Sequence, residues 1–587
     1  MNTEHAWRYT FLGALLSVLP ALIMLKMVSL QTNPRQVELF EAQGRLFAGA
    51  NLKVEPVRGQ IYDRWGNLLA GNKTVYEVGV DLNQVSNPQT IALTLNVVLG
   101  LDYETVLAAA RIKPSDKAVY ARLADYVTQD KMDRLLELKQ QIQETYQGSR
   151  DKNRPSLSGL TFAPHLARSY PEKSLASNIL GFVSRENKGY FGIEEKYNDI
   201  LAGKSKTIWV PNDPNRAEEL PLVPDGASLI LTLDRAIQTE MERILDRAID
   251  NTGSDSGTIV ILDPKTGEIL AIATTPRIDL NEYQRYFDRF DNDTPFNRGV
   301  SQAYEPGSVY KVLTMAAGLD SGAVKPETSF LDTGVFEIGG TYIYNWNSGA
   351  WGPQDMQGCM QHSLNVCLAW IASQMGTKDF YRYMNAFGIG HLTGVDLAGE
   401  VPGRLKVPGD GDWYDADLGT NSFGQGVAAT PVQMAAAVAA VANDGKMMAP
   451  HMVRSMINKG HQYDMDQRVI GIPIRPETAR TLTEMLARSL ETESSDALVT
   501  GYRVAGKTGT AEIPTPYGYT SNATNASFVG WGPADDPQFL VYVWLEKPTT
   551  SPWGSVVASP LFRQVVERLV VLLNIPPDDV RHQLLSQ

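Results

Sequence analysis

The chain opens with an apolar block. From Tyr9 to Leu25 the run YTFLGALLSVLPALIML carries no charge, and with Val28 and Leu30 beyond Lys26 it approaches the roughly 20 residues that a bilayer requires. It predicts one membrane span with a short tip before it, residues 1–31. The run is long for the apolar core of a cleaved signal peptide, and no small-x-small cleavage site follows it. Arg8 stands on one side and Lys26, Arg35 and Arg45 on the other, so charge bias leaves the orientation open. After the span, Gln36 to Leu46 has helical spacing. VRGQIYDRWGNLLAG from Val57 alternates and turns at Gly66-Asn67, the pattern of a strand pair.

Alternating and helical stretches then mix up to about Lys204. From Ser205 to Asp225 helical periodicity is lost and Pro211, Pro214, Pro221 and Pro224 crowd together, which marks a linker or boundary. Beyond it, ASLILTLDRAIQTEMERILDRAID reads as a strand running into an amphipathic helix. SGTIVILDPKTGEILAIATTP gives two β-rich runs around a short polar turn, a hairpin. ASFVGWGPADDPQFLVYVWLEKP repeats that pattern near the end, and LFRQVVERLVVLLN closes with a helix. Strands at both ends with helices between predict one antiparallel sheet whose terminal strands come together. The fold expectation is a mixed α/β chain of the α+β kind, with a second module at 32–222 and a third at 223–587.

Composition narrows the function. A chain of 587 residues is too long for one average domain and ample for two or three with real cores. The net charge of -13 is modest for this size, and no cluster of Lys and Arg offers the phosphate contacts that a nucleic-acid binder needs. Only Cys359 and Cys367 occur, which excludes a disulfide-rich scaffold and a four-cysteine metal site. If one helix carries both, they sit about 12 Å apart along its axis at ~1.5 Å per residue, too far to bridge. They read as two small apolar residues.

Candidate chemistry begins at EPGSVYKVLTMAAGL, which places Ser308 three residues ahead of Lys311 after a Pro-Gly break. A Ser-x-x-Lys string alone has little value, since about two are expected by chance in a chain this long. Ser149 and Lys152 form a second one, in the polar stretch QGSRDKNRPS, where a solvated loop explains it. Ser308 lies instead at the start of an apolar helix, where free N–H groups and the dipole favour developing negative charge. Lys311 shares its face one turn on. A serine hydroxyl needs a base, and a lysine serves as one only if burial or nearby cations depress its pKa.

The pair therefore needs a proton relay and an electropositive anchor, and both have candidates. In MQHSLNVCLAW, Ser363 and Asn365 open another apolar helix. In YRVAGKTGTAEI, Lys507 precedes Thr508, Gly509 and Thr510 on a predicted strand, where Gly509 would let a substrate backbone approach and alternation sets Thr508 and Thr510 on one face. Lys265-Thr266-Gly267 repeats the string but reads as the hairpin turn, and Ser494 to Asp496 sits in the charged run ETESSD, a loop.

Ser308-Val-Tyr-Lys311, Ser363-Leu-Asn365 and Lys507-Thr-Gly509, in that order, resemble the three motifs of the penicillin-recognising serine transferases and hydrolases. RGQIYDRWGNLLA from Arg58, RSYPEKSLASNILGFV from Arg168, GIEEKYNDILAG from Gly192, FGIGHLTGVDLAGE from Phe387 and SFGQGVAATPVQM from Ser422 resemble a class B, monofunctional penicillin-binding protein. That resemblance implies a membrane helix, an elongated non-catalytic pedestal of the dimerisation type, and a transpeptidase domain with a central antiparallel sheet between helices, outside the cytoplasmic membrane. It implies Ser308 as acylated nucleophile, Lys311 as its base, Ser363 as proton relay with Lys507, and Asn365 as holder of the donor's amide. Thr508 and Thr510 would bind the terminal carboxylate, and the N–H groups of Ser308 and Thr510 would form the oxyanion hole. No metal or other cofactor is called for. His362 reads as a helix-surface residue.

The implied activity is D,D-transpeptidation of peptidoglycan stem peptides, with covalent inhibition by β-lactams. The implied partner is a multi-span membrane glycosyltransferase of the shape, elongation, division and sporulation family. Two rival readings are a serine β-lactamase and a scaffold that chiefly activates that polymerase. The hydrolase pattern needs Glu-x-x-x-Asn after the second motif, and none occurs between Asn365 and Lys507; Glu400 and Glu477 both lack the asparagine.

Overall fold

The computed structural model describes residues 6–585 apart from 36, 39–48, 55, 116–117, 152, 212–222 and 516–517. Most of the helix expected at Gln36–Leu46 lies outside the described residues. The chain forms two compact units, Met1–Val57 with Gly203–Gly226, and Arg58–Ala202 with Ala227–Gln587.

In the first unit, helix α1 (Ala6–Thr32) carries the predicted span, with a mean hydropathy of 2.2 over its most apolar 18 residues, none of them buried in protein. Strand Gly49–Val54 pairs antiparallel with Lys206–Pro211. The stretch expected as a linker therefore begins as a strand. Its partner is more than 150 residues earlier, so local periodicity carried no sign of it.

The second unit is built on two sheets. One has seven strands. It runs from the hairpin His461–Asp464 and Val453–Asn458 through Ser228–Leu231 and Ile61–Tyr62 to Leu68–Asp81, which pairs with both Tyr120–Val127 and Leu160–Ser169. Ile61–Tyr62 lies parallel to Ser228–Leu231. The turn expected at Gly66-Asn67 joins Ile61–Tyr62 to Leu68–Asp81. Next to it the segments around Arg58, Arg168 and Gly192 meet at a buried carboxylate. Glu194 accepts from Arg58 at 2.7 Å and from Arg168 at 2.6 Å, with all three side chains almost fully enclosed. Removing one partner would leave a buried charge unpaired, at a cost of about 3–5 kcal/mol.

The other sheet positions the site. Its strands are β1 (Ser256–Leu262), β2 (Ile269–Thr274), β5 (Ala505–Thr515), β6 (Gly518–Gly532) and β7 (Phe539–Glu546), in the order β2-β1-β7-β6-β5 and antiparallel throughout. β3 (Val335–Ile338) and β4 (Thr341–Tyr344) form a separate hairpin. The first and last strands of the segment do come together, at β1 and β7.

Alternation assigns each strand residue to one of two cores. Ile259, Ile261, Val541, Val543 and Leu545 pack with α2 (Arg235–Thr252) and α8 (Gly554–Leu572). Val260, Leu262, Leu540, Tyr542 and Trp544 join the larger core on the other face. Both faces are covered, so β1 and β7 read as continuous apolar runs. The larger core holds α3 (Lys311–Ser321), α4 (Met356–Gln361), α5 (Asn365–Met375), α6 (Pro431–Ala442) and part of α7 (Pro476–Thr492). Every residue of α6 is buried. Its run of alanines lets neighbouring backbones approach closely.

One expectation is corrected. Cys359 and Cys367 form a disulfide, with their Cα atoms 6.0 Å apart. The spacing argument assumed one continuous helix. The chain instead breaks between α4 and α5, where Ser363 takes a left-handed φ of 53°, and the two short helices fold toward each other.

Candidate active site

Ser308 lies in a 3₁₀ turn, Gly307–Tyr310, that runs into α3. Three residues per turn align positions i and i+3, so this turn sets Lys311 in line with the serine. Gly307 explains the Pro-Gly break. Its φ is +59°, and a Cβ there would meet the Thr510 carbonyl at 2.7 Å. The nucleophile turn is thus pressed directly on β5.

Lys311 has no exposed surface. Its amine donates to Ser363 O at 2.6 Å and to Asn365 Oδ1 at 2.7 Å, and Ser363 Oγ lies 3.1 Å away. Burial, aided by repulsion from the Lys507 ammonium, pushes its pKa well below the ordinary lysine value. The first and second motifs are therefore joined at one nitrogen.

Three devices hold the second motif. The disulfide closes the segment from Cys359 to Cys367 around Ser363, Leu364 and Asn365. Asn365 opens α5, and its Nδ2 donates to the Tyr344 carbonyl at 3.1 Å. Trp346 Nε1 donates to the His362 carbonyl at 3.2 Å. His362 caps α4 and stacks on Trp351 with ring centroids 4.0 Å apart, and burial lowers its pKa.

The third motif lies on β5. Lys507 is buried, with its amine 3.4 Å from Thr508 O and 3.3 Å from Thr508 Oγ1. Burial pulls its pKa down to about 8, and the Glu493 carboxylate opposes that shift. Thr508 and Thr510 are half-buried, with Gly509 buried between them. Thr510 Oγ1 accepts from the Gly554 N–H at 2.9 Å, which leaves the hydroxyl proton free to donate. Gly509 serves packing more than approach by a ligand. A Cβ there would meet Ser527 Oγ at 2.3 Å, Val309 Cγ1 at 2.9 Å and Pro306 O at 3.2 Å, so the missing side chain lets the nucleophile turn sit on the strand.

The decoy strings stay outside this constellation. Lys265 to Gly267 forms the β1–β2 turn and Lys265 pairs with Asp536 at 2.5 Å. Ser149 lies in a turn beyond helix Gln129–Thr145, and Lys152 is outside the described residues. Ser494 follows the end of α7. Its neighbour Glu493 is a residue that sequence reasoning passed over. Burial raises its pKa, Lys507 opposes that, and His362 Nδ1 lies 4.0 Å from its carboxylate. The run ETESSD was legible as a loop but gave no sign of where the loop points.

A buried amine with a depressed pKa, beside the Ser363 hydroxyl and one turn after Ser308, and a second buried amine near neutrality form an acyl-transfer site that needs no histidine. Residues 257–567 match the penicillin binding protein transpeptidase domain and residues 53–219 the penicillin-binding protein dimerisation domain. Stage V sporulation protein D of Bacillus subtilis is 32% identical over 90% of this chain and 80% of its own length. A probable peptidoglycan D,D-transpeptidase, PbpC of Pseudomonas aeruginosa, is 28% identical over 93% of this chain and 92% of its own. The crystal structure of penicillin binding protein 3 from Mycobacterium tuberculosis, complexed with aztreonam, shares the fold with a TM-score of 0.68 at 23% identity, covering 90% of this chain and 98% of that one. With both domain families matched in order and the first two motifs of the second joined at one buried amine, the chain belongs to the class B penicillin-binding proteins.

Proposed function

We propose that the protein is a peptidoglycan D,D-transpeptidase that forms an acyl-enzyme at Ser308. The observation that carries this reading is the Lys311 amine, buried, depressed in pKa and held by Ser363 and Asn365. The depressed pKa favours the neutral amine, which has a lone pair. It takes the proton from Ser308 Oγ as that oxygen bonds to the carbonyl carbon of the penultimate D-alanine. The amide C–N bond breaks, and the leaving D-alanine amine receives a proton relayed through Ser363, with Lys507 supplying positive charge. An acceptor amine then attacks the ester, loses its proton to the same relay and frees Ser308. Thr508 and Thr510 bind the donor carboxylate, Asn365 its amide, and the N–H groups of Ser308 and Thr510 the oxyanion. A β-lactam follows the first half of this course. Its leaving nitrogen stays tethered and blocks the acceptor, so the acyl-enzyme persists.

In this reading residues 1–31 anchor the chain in the bacterial cytoplasmic membrane, 32–222 form the pedestal, and 223–587 form the transpeptidase domain on the outer side. The pedestal carries no chemistry of its own, and its size exceeds what tethering requires. It serves, with the membrane helix, to engage a multi-span glycosyltransferase of the shape, elongation, division and sporulation family. Such a polymerase should co-purify with the full chain from membranes and be lost when residues 52–203 are deleted. Retention by the deleted chain would refute the partnership.

Mixed with a chromogenic cephalosporin, the protein should give a burst of one equivalent per chain and then almost no turnover. Ser149→Ala and Lys265→Ala should behave alike, whereas Ser308→Ala and Lys311→Ala should give no burst. A burst from Ser308→Ala would sink the nucleophile assignment. Sustained turnover would favour the β-lactamase, with Glu493 the carboxylate to test next.

The two lysines predict a bell-shaped pH dependence of acylation. The alkaline limb belongs to Lys507, whose positive charge is present below a pKa of about 8 and lost above it. The rate should fall about twofold by that pH and about tenfold one unit higher. The acid limb belongs to Lys311, which gains a proton and stops serving as a base as pH falls through its depressed pKa. Lys507→Arg should move the alkaline limb beyond pH ~10, since a guanidinium keeps its charge. A wild-type rate constant that stays flat from pH ~7 to ~10 would contradict this assignment.

A further inference from the structure

Beside the motifs lies a rim of exposed aromatic side chains. On the β3–β4 hairpin, Val335 pairs with Tyr344 and Glu337 with Tyr342. Ile343 is buried, so alternation turns Tyr342 and Tyr344 outward, at 58% and 55% exposure. Trp346 is 51% and Trp553 42% exposed. Such areas are large for side chains that dominate cores, and grouped exposure of this kind marks a contact surface.

These four rings are continuous with both walls of the site. Tyr344 offers its carbonyl to Asn365, and Trp346 is tied to the second motif through His362. Trp346 meets Trp553 edge to face, with ring centroids 5.4 Å apart. Trp553 caps α8, whose first residue, Gly554, donates to Thr510 on the third motif.

We infer that this rim is a saccharide subsite that receives the glycan to which the donor stem peptide is attached. The inference rests on the transpeptidase reading and deepens it. Chemistry is the first argument. The C–H faces of a pyranose carry partial positive charge and suit the negative face of an aromatic ring. Its hydroxyls suit the phenols of Tyr342 and Tyr344 and the carboxylate of Glu337, which pairs with Tyr342 across the hairpin. An apolar protein partner would not call for that mixture.

Reach is the second argument. At about 3.3 Å per strand residue, Tyr342 lies roughly 7 Å beyond Tyr344, which itself abuts Asn365. The three stem residues between the acylated D-alanine and the sugar span about 10 Å when extended. A donor held by Asn365 therefore has a stem long enough for its first sugar to reach this hairpin.

The test uses the full chain in detergent and reads protection of Ser308 from a fluorescent penicillin. Two competitors are compared, a stem pentapeptide and the same pentapeptide bearing its N-acetylated disaccharide. The disaccharide form should halve the labelling rate at a concentration at least ~10-fold lower. Tyr342→Ala should remove most of that advantage, and Tyr342→Phe, which keeps the ring, should retain most of it. Labelling without competitor reports whether each variant is folded, and Glu337→Ala serves if Tyr342→Ala is not. Equal protection by the two competitors in the wild type would overturn the saccharide subsite while leaving the transpeptidase reading intact. An advantage that survives in the folded alanine variant would overturn its placement on this rim. A chain that takes no penicillin at all would instead remove the reading on which the inference rests.

Discussion

An amine sealed from water is the constraint on which the rest of the structure depends. Charging a fully buried lysine is costly, and a second lysine nearby raises that cost further. The Lys311 nitrogen is tolerable only because the Ser363 carbonyl and the Asn365 side chain receive its hydrogens. Those acceptors exist only because the chain breaks between α4 and α5 and turns Ser363 into a left-handed conformation. A non-glycine residue in that region costs about 1 kcal/mol or more. The Cys359–Cys367 bridge and the Asn365–Tyr344 contact hold the turn in place.

The same constraint explains the arrangement of the layers. Keeping water from Lys311 and Lys507 requires apolar packing beneath both, and the five-stranded sheet supplies it by being covered on each face. The glycines of the site serve close packing of backbone against neighbouring backbone and side chains. Gly307 seats the nucleophile turn against Thr510, Gly509 accepts Val309, and Gly554 brings the start of α8 within 2.1 Å of Gly509 O for any added Cβ. The site is a junction of three elements held closer together than side chains allow.

Much of this was legible in the sequence because it is written in local patterns. The apolar runs of β1 and β7, the amphipathic stripe of α2 and the long uncharged block of α1 each specify their element without reference to the rest of the chain. The motif residues were legible through context, since Ser308, Asn365 and Lys507 each sit where a break gives way to an apolar element. What was not legible is what depends on distant partners. Lys206–Pro211 is a strand only because Gly49–Val54 lies beside it. The cysteines bridge only because a polar Ser-Leu-Asn interrupts what periodicity alone reads as one helix. Glu493 matters only through Lys507 and His362, to which no spacing points.

The central claim is that acyl transfer occurs at Ser308 through the amine it shares with the second motif. Peptide mapping of the protein after reaction with a penicillin tests it most directly. Trypsin releases residues 299–311, which contain both Ser301 and Ser308. Ser301 is committed to the Gly399 carbonyl at 2.7 Å, at the end of a short helix. Fragment masses should place one penicilloyl group per chain on Ser308. An adduct on Ser301, on Ser149 or spread over several serines would contradict the account.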